Sequence, residues 1–407
     1  MYLVLGRKFE LSLSYRLYRP EWTVERNRAV FGPHVAGEHG TGANPTLWLV
    51  FHGPVDPHTG MIIDIALVKE RINKLLSARY DHRYLNLDTP PFDRIIPTPE
   101  NVTRQLLADV EPLFDDLTAR PVACHVAFSP AIGATAFADG RIERDYWLEF
   151  SAARRTWSPH LSEDENTRLF GAAASPSGHG HFYRLCLTAA GPVDPESGVM
   201  IPDSDTATIF DDLLTLFDHR NLSVDVPELR GVPITTEYLT RFIFNRVAPL
   251  MPVSHVRLSE NPYFFAEYLG GDRHLVGIGS AFQAAHRLHS PQLTDEENRK
   301  TYGKCNSLNG HGHRYRIEMT IAGIMDERSG VVSPLAHLQE GLGRALAAWE
   351  HKHLDWDTED FIDKPSTGEN ILRVLWPKIE STLDHPLHHL RLWETPNNRF
   401  TLRKGIR

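Results

Sequence analysis

Residues 303–313 read GKCNSLNGHGH, and residues 171–181 read GAAASPSGHGH. One frame occurs twice, with Cys305 in the later copy and Ala173 at the matching place in the earlier one. Working outward, the flanking segments repeat as well. YRLYRP (15–20), RRTWSP (154–159) and HRLHSP (286–291) precede three strand–turn–strand stretches, VFHGPVDPHTGMII, LTAAGPVDPESGVMI and MTIAGIMDERSGVVS. Then come YDHRYLNLD (80–88), FDHRNLSVD (217–225) and WEHKHLDWD (349–357), followed by TPEN, TTEY and TGEN. The distance from Arg154 to His179 equals that from His286 to His311, and Glu237 and Glu369 keep the same offset. A register held through four motifs marks internal repeats, which decide the architecture before any local assignment does.

Each unit reads strand, strand, helix, helix, strand, strand. In the third copy Leu335, Leu338, Leu342, Leu346 and Trp349 recur at helical spacing and predict a buried stripe. Ser366 and Glu369 stand where a capping box would open the second helix. Boundaries are expected near 138 and 272, giving units 1–138, 139–272 and 273–407 with no Pro/Ser-rich or charged linker between them.

The chain has 407 residues, 41% hydrophobic and 23% charged, in the range of globular proteins. A net charge of −9 gives no basic footprint for nucleic acid and disfavours an anionic membrane surface. No apolar run approaches the length of a membrane span, and the N-terminal segment reads as a strand rather than a targeting leader. Three scattered cysteines, Cys124, Cys186 and Cys305, make no disulfide framework, so a reducing cytoplasm is the expected location.

His311 and His313 lie two apart in an expected strand, so both rings share a face. His286 ends a separate strand of the same unit. Three histidines without a fourth protein ligand match a catalytic zinc site with an open position. The competing reading is three unrelated polar histidines in a chain that has 22. Cys305 follows Gly303 and Lys304. A lysine and a nearby zinc ion are expected to lower its pKa, and the thiolate would then take a proton from carbon. The alternative is a small buried hydrophobe.

FQAAHRL, GKCNSLNGHGHRY, the NLD motif, STGEN and ETPNN together resemble 6-pyruvoyltetrahydropterin synthase and its relatives, over all of the third copy and more weakly over the other two. The resemblance implies an α+β tunnelling fold: three tandem ββααββ units forming a pseudo-trimeric, twelve-stranded antiparallel barrel with helices outside. It implies one Zn2+ per chain on His286, His311 and His313, with Cys305 as the proton-abstracting group. It also implies that Glu394 anchors the pterin ring, and that Thr367 and Glu369 line the pocket. The family's Asp-His relay corresponds to Glu350 and His351 in this unit. Copies one and two carry the pairs Asp81–His82 and Asp218–His219, and one of these is expected to serve Cys305. Copy two has Arg154 for the first ligand and Ala173 for the thiol; copy one has Tyr15, Thr41 and Ala43 at the ligand positions and Phe128 at the anchor.

The expected activity is conversion of 7,8-dihydroneopterin triphosphate to 6-pyruvoyltetrahydropterin, a carbon–oxygen lyase reaction that releases triphosphate. The related 6-carboxytetrahydropterin synthase is the alternative enzyme. Five residues separate Cys305 from His311, as in the pyruvoyl type. A non-catalytic pterin- or purine-binding protein is the alternative of another class. Fusion of three units implies a monomeric pseudo-trimer, or a homodimer that mimics a stacked hexamer.

Overall fold

The computed structural model describes residues 1–405. Twelve of its strands close into one antiparallel barrel. The first unit contributes Tyr2–Glu10, Thr46–His52, Arg120–Ala127 and Ile132–Phe137. The second contributes Ile142–Arg154, His179–Ala190, Val253–Asn261 and Phe264–Tyr268. The third contributes Arg273–His286, His311–Ile324, Leu387–Thr395 and Asn398–Arg403. Last strand meets first strand at every junction: Ile132 pairs with Tyr146, Phe264 with Ile278, and Tyr2 with Arg403. The third junction joins the two ends of the chain. It removes the free edges that would otherwise template further pairing.

Residue pattern accounts for the elements. Thr46–His52 alternates strictly between half-buried and buried positions, as a strand with one face in the core must. Two helices per unit lie outside the barrel: Ile65–Arg79 and Pro99–Val110, Asp203–Phe217 and Thr236–Val247, Leu335–Ala347 and Gly368–Glu380. The predicted stripe is present, with Leu338, Leu342, Leu346 and Trp349 buried. The first unit departs from the other two. Its opening strand breaks between Glu10 and Leu13, and a small separate sheet forms from Thr41–Ala43, Leu13–Tyr15 and Arg83–Tyr84. Pro45 lies at the break opposite, where it has no N–H to give the ladder.

Each unit grips the next in the same way. Thr367 Oγ1 donates to Gly60 O at 2.7 Å, and Glu369 accepts from Ile62 N at 3.0 Å. Thr98 and Glu100 hold Gly198 and Met200, and Thr235 and Glu237 hold Gly330 and Val332. The gripped glycines have φ of 68°, 76° and 77°. A Cβ on Gly60 would lie 2.6 Å from Asn370 Nδ2, so the left-handed turn and the close approach both demand glycine there. The expected Ser366–Glu369 capping box is not formed. Thr367 caps the helix by accepting from Asn370 N, one residue later than expected, which frees Glu369 for the neighbouring unit.

Candidate metal centre in the third unit

Strands Arg273–His286 and His311–Ile324 pair in register, with His286 opposite His311 and Ala284 opposite His313. Side chains two apart share a face, so one ladder step brings three imidazoles together. Ring centroids are 4.7, 5.2 and 4.9 Å apart, and one ligand atom from each ring lies within 4.8 Å of the others. His286 is completely buried; its partners are half-buried. His286 Nδ1 lies 3.1 Å from Ser366 O, which fixes that nitrogen as the donor and leaves Nε2 with its lone pair. His286 Nε2, His311 Nδ1 and His313 Nε2 are buried with no hydrogen-bond partner among the described residues.

Burial, reinforced by the other two imidazoles, pushes His286 down to about 3. Burial lowers His311 and His313 as well. The triad is therefore neutral at pH 7, as ligands must be. Orphaned buried nitrogens are costly unless something accepts their lone pairs, and a metal ion does so. The donor set fits a divalent ion with nitrogen preference.

Cys305 sits in the short turn Gly303–Asn306, whose Cys305 carbonyl accepts from Leu288 N at 3.0 Å just beyond His286. The protein's own groups do not by themselves lower the thiol pKa. Burial raises it, the nearby Glu394 carboxylate raises it further, and Lys304 opposes them without winning. Glu394 lies 3.7 Å from His286 Nε2 and 3.9 Å from His313 Nε2, against the histidines. Glu369 is at the unit boundary, 2% exposed, and burial pushes its carboxyl up to about 7. Thr367 is spent on the helix cap and on Gly60.

The corresponding places in the other units are filled differently. Arg154 Nη2 contacts Glu260 and donates to Thr236 Oγ1, which puts a guanidinium where His286 stands in the third unit. In the first unit Tyr15 packs edge-on against Phe128, and Glu100 is paired with Arg144 at 3.0 Å.

The relay pairs are far more exposed than the histidine triad. Asp81 accepts from Ser12 N and holds His82 Nδ1 at 2.9 Å; Asp218 does the same with Ser151 N and His219. Asp81 therefore bridges to the break in the first unit's opening strand, and Asp218 bridges to the strand Ile142–Arg154. Glu350 reaches Gln283 N at only 3.4 Å and meets His351 through Nε2 instead of Nδ1, as its longer side chain dictates. All three histidines have φ of 55–59°, a costly conformation for a non-glycine residue, held by His N–H bonds to Ser12 O, Ser151 O and Gln283 O. Their side chains are 80%, 83% and 73% exposed. No hydrogen bond or ion pair joins any of the pairs to Cys305 among the described residues.

One neighbour of the site escaped the sequence reading. His353 is 9% exposed, stacks on Trp356 at 3.6 Å and faces Asp355 at 3.8 Å. A Cβ on Gly310 would lie 2.6 Å from its Nε2 and 2.7 Å from His286 O, so His353 abuts the histidine ladder. Its signal was present in WEHKHLDWD, where the other copies have Tyr84 and Asn221.

The family model for 6-pyruvoyl tetrahydropterin synthase matches residues 7–138, 145–271 and 276–405. A 6-pyruvoyl tetrahydrobiopterin synthase of Drosophila melanogaster is 42% identical over 125 residues, 30% of this chain and 74% of that protein. The Homo sapiens protein of the same name is 41% identical over 120 residues, 29% of this chain and 83% of its own length. The solved 6-pyruvoyl tetrahydropterin synthase of Caenorhabditis elegans is 38% identical, with a TM-score of 0.32, and covers 33% of this chain and 96% of its own. No described helix is long and apolar enough to cross a membrane. With three matches that span nearly its whole length, the chain belongs to the 6-pyruvoyl tetrahydropterin synthase family and carries the family's unit three times in tandem.

Proposed function

We propose that the chain is a zinc-dependent carbon–oxygen lyase that converts 7,8-dihydroneopterin triphosphate to 6-pyruvoyltetrahydropterin with loss of triphosphate. The observation that carries this reading is the convergence of three neutral histidines with free ring nitrogens in the unit whose cysteine, Cys305, is half-buried while Cys124 and Cys186 are buried. His286, His311 and His313 would hold one Zn2+ per chain. Bound there, zinc supplies Lewis-acid polarisation of the substrate's side-chain hydroxyls.

The remaining roles fall to protein groups. Cys305 takes the carbon-bound proton as its thiolate, a state favoured by a nearby dication and opposed by burial and Glu394. Glu394, set against the histidines, joins Glu369 in holding the substrate. Glu369, buried and hydrogen-bonded to no side-chain cation among the described residues, receives the ring's amino and imino N–H groups, and Thr367 holds that wall in place. A proton relay reaches Cys305 from one of the exposed pairs, Asp81–His82 or Asp218–His219. The pair comes from a neighbouring unit of the same barrel, in a monomeric pseudo-trimer or a homodimer that mimics a stacked hexamer.

In this reading residues 273–407 are the complete unit, while 1–138 and 139–272 finish the barrel as degenerate partners. A free half-buried thiol suits the reducing cytoplasm. Incubation of zinc-loaded protein with 7,8-dihydroneopterin triphosphate, followed by mass spectrometry, tests the proposal. A retained three-carbon side chain with released triphosphate is expected. A 6-carboxy product with acetaldehyde would move the chain to the 6-carboxytetrahydropterin synthases, and no turnover would make it a binder.

A further inference from the structure

Cations gather on the inner face of the barrel where the two ends of the chain meet. Helices cover the outer face, with Leu3, Leu5, Phe400 and Leu402 in the core, so the residues that alternate with them face the lumen. Arg391, Arg399, Thr401 and Arg403 lie there, beside a cavity of about 520 Å³. That is more than three times the ~150 Å³ that admits one benzene.

Equivalent rungs of the repeats differ at this seam. In the second unit Arg257 stands opposite Glu267 and holds its carboxylate at 3.0 Å, and Ser259 stands opposite Phe265. In the third unit the same rungs read Arg391 opposite Thr401 and Trp393 opposite Arg399. A carboxylate has become a hydroxyl, and an aromatic ring has become a guanidinium. The first unit has His125 opposite Thr135 and Ala127 opposite Gly133. Only the third unit places a second arginine on these rungs.

Arg399 has no carboxylate at ion-pair distance among the described residues. Its side chain crosses Gly6, where an added Cβ would lie 3.4 Å from its Nε, and stacks on Trp48 at 4.6 Å. The inward carboxylates are spent elsewhere. Glu318 holds Arg391 at 2.8 Å and Arg257 at 3.3 Å, and Asp145 accepts from Thr188 Oγ1 at 2.7 Å. Desolvation, reinforced by Arg391, pushes the Arg399 guanidinium down to about 9, so it is still charged at pH 7. A desolvated cation without a counter-charge is costly, and a bound anion removes that cost.

We propose that this lumen cavity binds a linear triphosphate group, free or carried by a nucleotide, with Arg399 as its main contact and Arg391 and Arg403 beside it. Arg399 and Arg403 flank Thr401 on one strand, about 14 Å apart at ~3.4 Å per residue, a span that suits a chain of phosphoryl groups better than a single one. Guanidinium forks match phosphate oxygens two at a time. Thr401 Oγ1 accepts from Arg391 Nε at 3.4 Å, which leaves its O–H to donate to the anion. The assignment does not rest on the proposed lyase activity.

Isothermal titration of the full chain with inorganic triphosphate in ~0.15 M salt tests it. One equivalent per chain is expected. Arg399→Gln should weaken binding about 10–100-fold, the worth of hydrogen bonds to a charged group. Arg399→Lys, which keeps the charge and loses the fork, should lose less. ATP distinguishes the two sources: binding as tight as that of inorganic triphosphate assigns the site to a nucleotide's tail, and weaker binding assigns it to the free anion. Triphosphate also chelates metal ions, so His286→Ala is titrated in parallel. Binding that survives in His286→Ala and falls in Arg399→Gln supports the lumen site. Binding lost in His286→Ala and kept in Arg399→Gln would put the anion at the histidines and overturn the proposal. Binding of neither probe by the wild type would also overturn it, as would orthophosphate binding as tightly as triphosphate.

Discussion

Replacing Glu369 by Gln should change how stability depends on pH, and the structure sets the size. Burial raises this carboxyl from 4.5 in the unfolded chain to about 7 in the barrel. Between those values the folded protein holds a proton that the unfolded chain has released. The group's contribution is therefore complete below pH 4.5 and is lost as pH rises through 7. At ~1.36 kcal/mol per unit the loss is about 3 kcal/mol. An unfolding entropy of ~2.1 cal/mol/K per residue over 407 residues turns this into about 4 °C in Tm. The Glu369→Gln side chain keeps an oxygen for Ile62 N and does not titrate. Its Tm minus that of the wild type should thus grow by about 4 °C from pH 4.5 to pH 8, measured by calorimetry on chelator-treated protein. Parallel Tm curves across that range would refute the reasoning, since Glu369 would then titrate as it does in the unfolded chain. Glu237→Gln should behave in the same way, because burial also raises Glu237 to about 7. Glu100→Gln should differ in kind. It leaves Arg144, 9% exposed, without its counter-charge, and such a change costs about 3–5 kcal/mol.

Metal analysis of purified protein should find about one zinc per chain, lost in His286→Ala because only two imidazoles of the triad would remain. Arg154→His should raise the count toward two by completing a triad with His179 and His181, whose centroids are 4.8 Å apart; an unchanged count would show that Glu260 and Thr236 block the place. Cys305→Ala should keep its zinc and lose about 10²–10⁴ in turnover, the worth of a positioned acid–base group. Among His82→Ala, His219→Ala and His351→Ala, one of the first two should fall by a similar factor while the third stays active; inactivity of His351→Ala alone would reject the relay assignment. The solution mass should correspond to one chain or two, since three chains would present nine units.

The repeats made the unit, its strand order and the histidine face legible before any coordinates. Period-two alternation states which side chains share a face, and an unbroken register from Arg154 to His179 and from His286 to His311 states which strands must pair. Sequence also distinguished the unit with a thiol and three histidines from the two without. It misjudged Glu369 as a helix cap, because a residue three places after a serine looks local, whereas its partner Ile62 lies in the opposite third of the chain. It could not show that Arg144 pairs with Glu100, that Glu394 lies against the histidines, or that His353 abuts the ladder. Nor could it show that burial raises the Cys305 thiol. These facts arise where one unit meets the next or where loops fold over a strand end. Burial and partner distance there depend on the closed barrel, and no local pattern encodes them. Periodicity carries the faces and the register; desolvation and long-range pairing exist only once Tyr2 has found Arg403 and the ring is shut.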